Sequence, residues 1–220
     1  MKPVLLINPN SSEQTTAAML RIVRHHLPDV QGWTNVAAPK MITDPEALAQ
    51  AAGSIADADL PPASAVIVAA FGDPGADALA QQLESPVIGI GAAAARAAGK
   101  DGASFAVVTT TPKLAPAIDT LMRSQGAGYL GCFLTRGDPE ALMADPVALD
   151  AALAEACTPA VLAGAQQIII GGGPLAEAAI RIAPHVAVPL VQPLVAACRE
   201  VGSRTGHPGP PAPDVSRSGR

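Results

Sequence analysis

The chain is 220 residues long, 49% hydrophobic, only 15% charged and 2% aromatic. Such a composition buries enough apolar surface to offset chain entropy, which excludes a disordered whole and points to close packing through small aliphatic side chains. Its 14 Lys and Arg against 19 Asp and Glu give a net charge of −5, opposing a nucleic-acid partner, which needs a basic face.

The three cysteines, Cys132, Cys157 and Cys198, are odd in number and lack metal-ligand spacing, so they read as reduced thiols of a cytoplasmic protein with no metal. Met1-Lys2-Pro3 leads directly into an aliphatic strand pattern without the features of a signal peptide, and no stretch reads as a membrane span.

In chain order, short β-branched runs alternate with Ala-rich segments. Strands are predicted at 4–8, 31–37, 65–70 and 87–90, with helices at 12–26, 45–58, 75–84 and 92–98 between and after them. The second half repeats the pattern, with strands at 105–109, 129–134, 167–171 and 188–191 and helices at 113–124, 146–164, 175–182 and 194–201. Ser11 followed by Gln14 has capping-box spacing and sets the first helix start. Strict alternation of this kind predicts an α/β fold with parallel sheets flanked by helices.

The halves rhyme. An apolar strand, a Gly/Pro loop, a short helix and a second strand occur around Ala70–Pro86 and again around Gly172–Pro189. Val4–Asn8 runs into Asn10-Ser11-Ser12, as Phe105–Thr109 runs into Thr110-Thr111. Two pseudo-symmetric lobes follow, 1–98 plus 188–205 and 99–187, with 206–220 a Pro-rich extension. Ligands of open parallel sheets sit beyond the strands' carboxyl ends, so the expected site is a cleft between the lobes.

At these residues the chain resembles the aspartate/glutamate/hydantoin racemase superfamily, most closely its hydantoin and allantoin racemase branch. Ile7-Asn-Pro-Asn-Ser-Ser12 and Ala70-Phe-Gly-Asp-Pro-Gly75 are similar to that branch's strand-end motifs. Pro86-Val-Ile-Gly-Ile-Gly91, Phe105-Ala-Val-Val-Thr-Thr110 and Val188-Pro-Leu-Val191 follow in the same order. The resemblance implies a cofactor-independent isomerase acting on a small hydantoin-, allantoin- or amino-acid-like substrate through an enolate-like intermediate. It also implies two catalytic cysteines, one per lobe. Their positions fall at Ala70 and Gly172, and neither a methyl group nor a hydrogen accepts a proton. Three readings stay open: a racemase inactivated at Ala70, a thiol-free lyase or isomerase on the same scaffold, and a protein that binds without turnover.

Candidate substrate contacts are Asn10, Ser11 and Ser12 on one side and Thr109 and Thr110 on the other, with Thr111 as a helix cap. Gly171, Gly172 and Gly173 let backbone amides approach an oxyanion. Asp73 is a turn residue that doubles as a candidate base, and Gln192 is a further candidate contact. The partners expected are a small-molecule substrate and further copies of this chain in a homo-oligomer, with no nucleic acid and no membrane.

Overall fold

A computed structural model describes residues 2–206; the Pro-rich extension expected at 206–220 lies outside the described residues from 207 onward. The first half runs β1 (Val4–Asn8), α1 (Glu13–Arg24), β2 (Val30–Thr34), α2 (Pro45–Ala56), β3 (Ala65–Val68), α3 (Ala76–Gln82), β4 (Val87–Gly89) and α4 (Ile90–Ala98). The second runs β5 (Phe105–Thr109), α5 (Ala115–Gln125), β6 (Tyr129–Leu134), α6 (Pro139–Ala144), α7 (Pro146–Leu162), β7 (Gln167–Ile170), α8 (Ala176–Ile182), β8 (Leu190–Val191) and α9 (Pro193–Thr205).

Two four-stranded parallel sheets result, ordered β2-β1-β3-β4 and β6-β5-β7-β8, so the second repeats the topology of the first. Parallel strands covered on both faces need apolar residues at every position, and β1 and β3 are buried throughout. Alternate residues of the central strands serve different cores. Leu5, Ile7, Val66 and Val68 pack outward with Ile55 and Leu79 of α2 and α3. Ala106, Val108, Ile168 and Ile170 pack outward with α7 and α8. The opposite faces of both sheets meet in one shared core, with Leu6 and Ile67 from one sheet and Val107 and Ile169 from the other.

Helices α4 and α9 fill that shared core and cross over. α4 follows β4 of the first sheet yet packs on α5, β7 and β8, while α9 follows β8 of the second sheet and packs on α1, β3 and β4. The two helices also pack on each other, and the residues they bury in the shared core include Ala93, Ala94, Ala197 and Cys198, small enough for close approach. The expected assignment of 188–205 to the first lobe therefore divides. β8 pairs with β7 in the second sheet, and α9 alone returns to the first lobe.

Helix starts follow a repeated Asp-Pro signature. Asp44, Asp138 and Asp145 each cap the helix that follows, accepting from Ala47 N, Ala141 N and Val147 N at 2.9–3.0 Å, and the next residue, a proline, supplies a fixed φ where no N–H is needed. The signature also marks α6, a helix absent from the predicted elements. The α1 cap is Ser12, whose Oγ accepts from Thr15 N at 3.2 Å, one residue later than the Ser11 spacing implies. The Ser11 N–H instead donates to the Pro39 carbonyl. β6 is one residue longer than β5, and the extra residue is absorbed by a register shift beside Gly131, whose φ of +144° suits glycine.

Candidate functional site

The carboxyl ends of β1, β3, β5 and β7 converge on a cleft between the lobes, with a cavity volume of about 70 Å³. Asn10 comes from the loop after β1, Ala69, Ala70 and Phe71 from the loop after β3, Thr109–Thr111 from the end of β5, and Gly171–Leu175 from the loop after β7. Met41 and Ile42, from the loop between β2 and α2, and Met143 of α6 add apolar walls, joined by Leu114 and Ile118 at the start of α5. The volume corresponds to roughly five water-sized positions, which fits a compact guest.

The lobes touch directly beneath the cleft. A Cβ built on Gly171 would lie 2.8 Å from Phe71 Cε1, so glycine is what lets the Phe71 ring lie against the opposite strand end. A Cβ on Gly173 would fall 2.9 Å from the Ala69 carbonyl oxygen.

On the first lobe a buried amide network sets the orientation of Asn10. The Asn10 N–H donates to Asn8 Oδ1 (3.2 Å), which fixes the Asn8 amide, and Asn8 Nδ2 then donates to Asn10 Oδ1 (2.9 Å). Asn10 Oδ1 also accepts from Ser12 N at 2.9 Å, so its oxygen faces the protein. Asn8 Nδ2 reaches Thr16 Oγ1 as well, and Thr16 stands 2.6 Å from Thr34 Oγ1 on β2. Asn8 is therefore a positioning residue, and the Ile7-Asn-Pro-Asn string does more than cap a helix.

On the second lobe Thr109 Oγ1 donates to the Gly171 carbonyl at 3.0 Å and lies 3.2 Å from Thr111 Oγ1. Thr111 makes no side-chain cap bond, contrary to the expectation for it, because its hydroxyl is turned toward Thr109. Among the described residues the backbone N–H groups of Thr110, Thr111, Gly172 and Gly173 make no hydrogen bond within the chain. The first pair precedes the 3-10 turn Pro112–Leu114 that opens α5, and the second pair lies at the turn Gly173–Leu175 that opens α8. Free amides at two helix openings favour a carbonyl oxygen or a developing oxyanion.

Of the residues expected at the site, Asn10, Ala70, Thr109, Thr110, Gly171, Gly172 and Gly173 share this cleft, whereas Ser11, Ser12, Asp73 and Gln192 do not line it. Ser11 and Ser12 are used by the α1 start. Gln192 follows β8, an edge strand separated from β5 by β7, and lines a shallow groove with Gln167 and Arg199. Asp73 turns away to the start of α4, accepting from Gly91 N and Ala92 N at 2.7 Å each. Burial pushes its carboxyl up to about 6 against these two bonds and the nearby Arg96 charge. Its role as a base is thereby replaced by a structural one, as the cap of a helix 17 residues further on.

Among the described residues, no acid, base, histidine or thiol lines the cleft. Cys198 lies in the shared core, Cys157 in the outer core of the second sheet and Cys132 on β6; burial pushes their thiols up to about 12, 11 and 12. Among the described residues, no group of three or more His, Cys, Asp or Glu side chains is placed to hold a metal ion, and no helix is long and apolar enough to cross a membrane.

Residues 4–201 match the Asp/Glu/hydantoin racemase family model. This chain belongs to the Asp/Glu/hydantoin racemase family. It is 30% identical to the hydantoin racemase of Paenarthrobacter aurescens over 141 residues, covering 63% of this chain and 60% of that protein. With the hydantoin racemase of Rhizobium meliloti it shares 31% identity over 135 residues, 56% of this chain and 54% of that one. The matches thus span less than two thirds of either curated relative. The crystal structure of allantoin racemase from Pseudomonas fluorescens superimposes with a TM-score of 0.84 at 26% identity, covering 93% of this chain and 92% of that one. The likeness extends to the two-lobed α/β fold with its paired parallel sheets.

The sequence offered no direct pointer to Met41, Ile42 or Met143 as lining residues. Met41-Ile42 is an apolar pair in an otherwise Pro- and Lys-bearing loop, and Asp138-Pro139 announces the short helix that carries Met143. Both are recognisable once the cleft is known.

Proposed function

We propose that this chain binds a small hydantoin-, allantoin- or amino-acid-like carbonyl compound in the inter-lobe cleft, as an isomerase-type family member whose thiol acid–base step is absent. The observation that carries the reading is the cleft's lining. Ala70 and Gly172, the positions that the family resemblance gives to cysteines, both line the cavity, and among the described residues no titratable side chain of the lining replaces them. The free amides of Thr110, Thr111, Gly172 and Gly173 remain to hold a carbonyl oxygen and to favour enolate-like charge on it. This supports binding; among the described residues, the lining holds no side chain for proton abstraction.

Deuterium exchange at the acidic carbon of 5-substituted hydantoins and allantoin tests this. The chain as given is expected to produce no exchange above the buffer rate. Ala70→Cys places one thiolate on one face, so it should exchange the proton of one enantiomer: the thiolate takes the proton, the enolate forms, the S–H trades its proton for a deuteron of the D2O solvent, and that deuteron returns to the same face as the thiolate is regenerated. Racemisation should stay absent, because the opposite face still has no acid. Exchange by the unsubstituted chain would overturn the reading. It would favour instead a thiol-free lyase or isomerase, a second reading supported by the same uncommitted amides, which can stabilise an anion whatever bond is broken to form it.

A further inference from the structure

We propose that the groove between β8 and α9 is a second ligand site, separate from the cleft, which takes a small organic carboxylate through Arg199. Its cavity volume is about 270 Å³, larger than that of the cleft, and the two share no lining residue. One wall is a single face of α9. Val195, Ala196 and Arg199 follow Gln192 by three, four and seven residues, a spacing that stacks them along one side of a helix. The edge strand β8, Gln167 at the start of β7 and Ala97 of α4 complete the lining.

The polar groups of this groove are uncommitted. Gln192 holds the N-cap position of α9 and makes no side-chain cap bond. Neither it nor Gln167 has a side-chain hydrogen-bond partner among the described residues. Arg199 is uncommitted too. Arg21, Arg96, Arg123, Arg136, Arg181 and Arg204 each pair with a carboxylate. Arg24 and Arg199 pair with none among the described residues, and Arg199 stands in the groove. The acid beside it in sequence, Glu200, is already paired with Arg96 and Arg204.

The surroundings are cationic. No carboxylate lines the groove among the described residues. His26, just beyond α1, is held below the usual imidazole range by burial and then by the Arg199 charge, with His25 adding to it. A guanidinium presents parallel N–H donors that match the two oxygens of a carboxylate, and two glutamine amides stand by to bond the same group or a second polar one. Ala97, Val191, Val195 and Ala196 give the carbon part of such a ligand an apolar surface, which a bare inorganic anion would not use. Gln192, which the sequence singles out and the cleft does not employ, finds its use here.

Calorimetric titration of the full chain at low ionic strength with hexanoate, hexanamide and inorganic phosphate tests the site. Hexanoate should bind at least about tenfold tighter than hexanamide, the worth of one charge-assisted pair, and tighter than phosphate. Arg199→Met should abolish the preference for hexanoate over hexanamide, while Arg199→Lys, which keeps the charge and loses the fork, should retain at least about threefold of it. Proton NMR of the His26 ring, assigned with His26→Asn, separates this site from the cleft. Hexanoate at Arg199 offsets the charge that holds His26 down, so the ring's titration midpoint should move up, and in Arg199→Met it should not respond. A hexanoate affinity unchanged by Arg199→Met, no preference over hexanamide, or a His26 midpoint unmoved by saturating hexanoate would each overturn the site. Phosphate matching hexanoate would overturn the organic ligand. None of these outcomes bears on the cleft, which has its own probes.

Discussion

At the scale of single residues, the two positions without sulfur differ in what they would accept. Ala70 is an ordinary L-residue on a half-buried loop, and a cysteine there adds one atom beside open space. Gly172 has φ +138°, outside the range that L side chains adopt with ease, and a Cβ would sit 3.3 Å from Leu175 Cγ. Gly172→Cys is accordingly expected to lose about 1–3 kcal/mol of stability in urea titrations, while Ala70→Cys stays close to neutral. Thiol labelling distinguishes the new sulfur from the old ones. Cys132, Cys157 and Cys198 are held as thiols by burial, so the native chain should react slowly with Ellman's reagent and show all three groups only on unfolding. Ala70→Cys should add one rapidly labelled group, because the cleft is open to small molecules; a fourth thiol as slow as the others would mean that position 70 is closed off.

At the scale of elements, the Asp-Pro pairs show where local chemistry predicts structure and where it does not. Three of them cap the helix they precede. Asp73-Pro74 breaks the rule: Asp73 has φ +50°, and its carboxylate reaches across to Gly91 and Ala92, capping α4 from outside. A raised folded-state value means that the folded chain holds this proton more tightly than the unfolded one. The stability contributed is therefore full below about pH 4 and is lost as pH rises through about 6. Asp73→Asn cannot titrate, so the stability of the unsubstituted chain relative to this variant should fall by about 2 kcal/mol between pH 4 and pH 6. A flat difference across that window would show that the bonds from α4, and not burial, dominate Asp73.

The same contrast explains how much was legible beforehand. Strands β1 and β5 could be read to the residue, because both-face burial writes itself as an unbroken apolar run between polar or Gly/Pro punctuation; β6 could be read to the residue as well, although it is a half-buried edge strand. Asn10, the threonines and the glycine loop were legible for the same reason, since they stand where those runs stop. Gln192 stands at such a stop too, yet its strand is at the sheet edge, and strand order is a tertiary fact that spacing does not record. The turn of the Thr111 hydroxyl toward Thr109 was hidden likewise: Thr109 is itself held by the Gly171 carbonyl, 62 residues beyond it.

At the scale of the whole molecule, the exchange of α4 and α9 makes the halves one folding unit. Each sheet's inner face belongs to a core completed by a helix that the other half supplies in sequence, with Ala93, Ala94 and Ala98 of α4 and Ala197, Cys198 and Val201 of α9 at its centre. Neither half alone could cover that face, so the pseudo-symmetry is one of topology and not of independence. Thermal unfolding is therefore expected as a single transition with equal calorimetric and van't Hoff enthalpies. Ala197→Leu, at a fully buried site of α9 in the shared core, inserts volume into close packing and should cost about 1–3 kcal/mol. For a chain of this size that is about 2–12 °C in Tm, and the shift should move the whole transition without splitting it. Because the cleft floor is made by the same contact between halves, at Phe71 and Gly171, loss of that core should remove ligand binding at the same temperature at which helicity is lost. Two resolved transitions, or binding that disappears well before the helices melt, would show the lobes to be separable and the cleft to be a hinge.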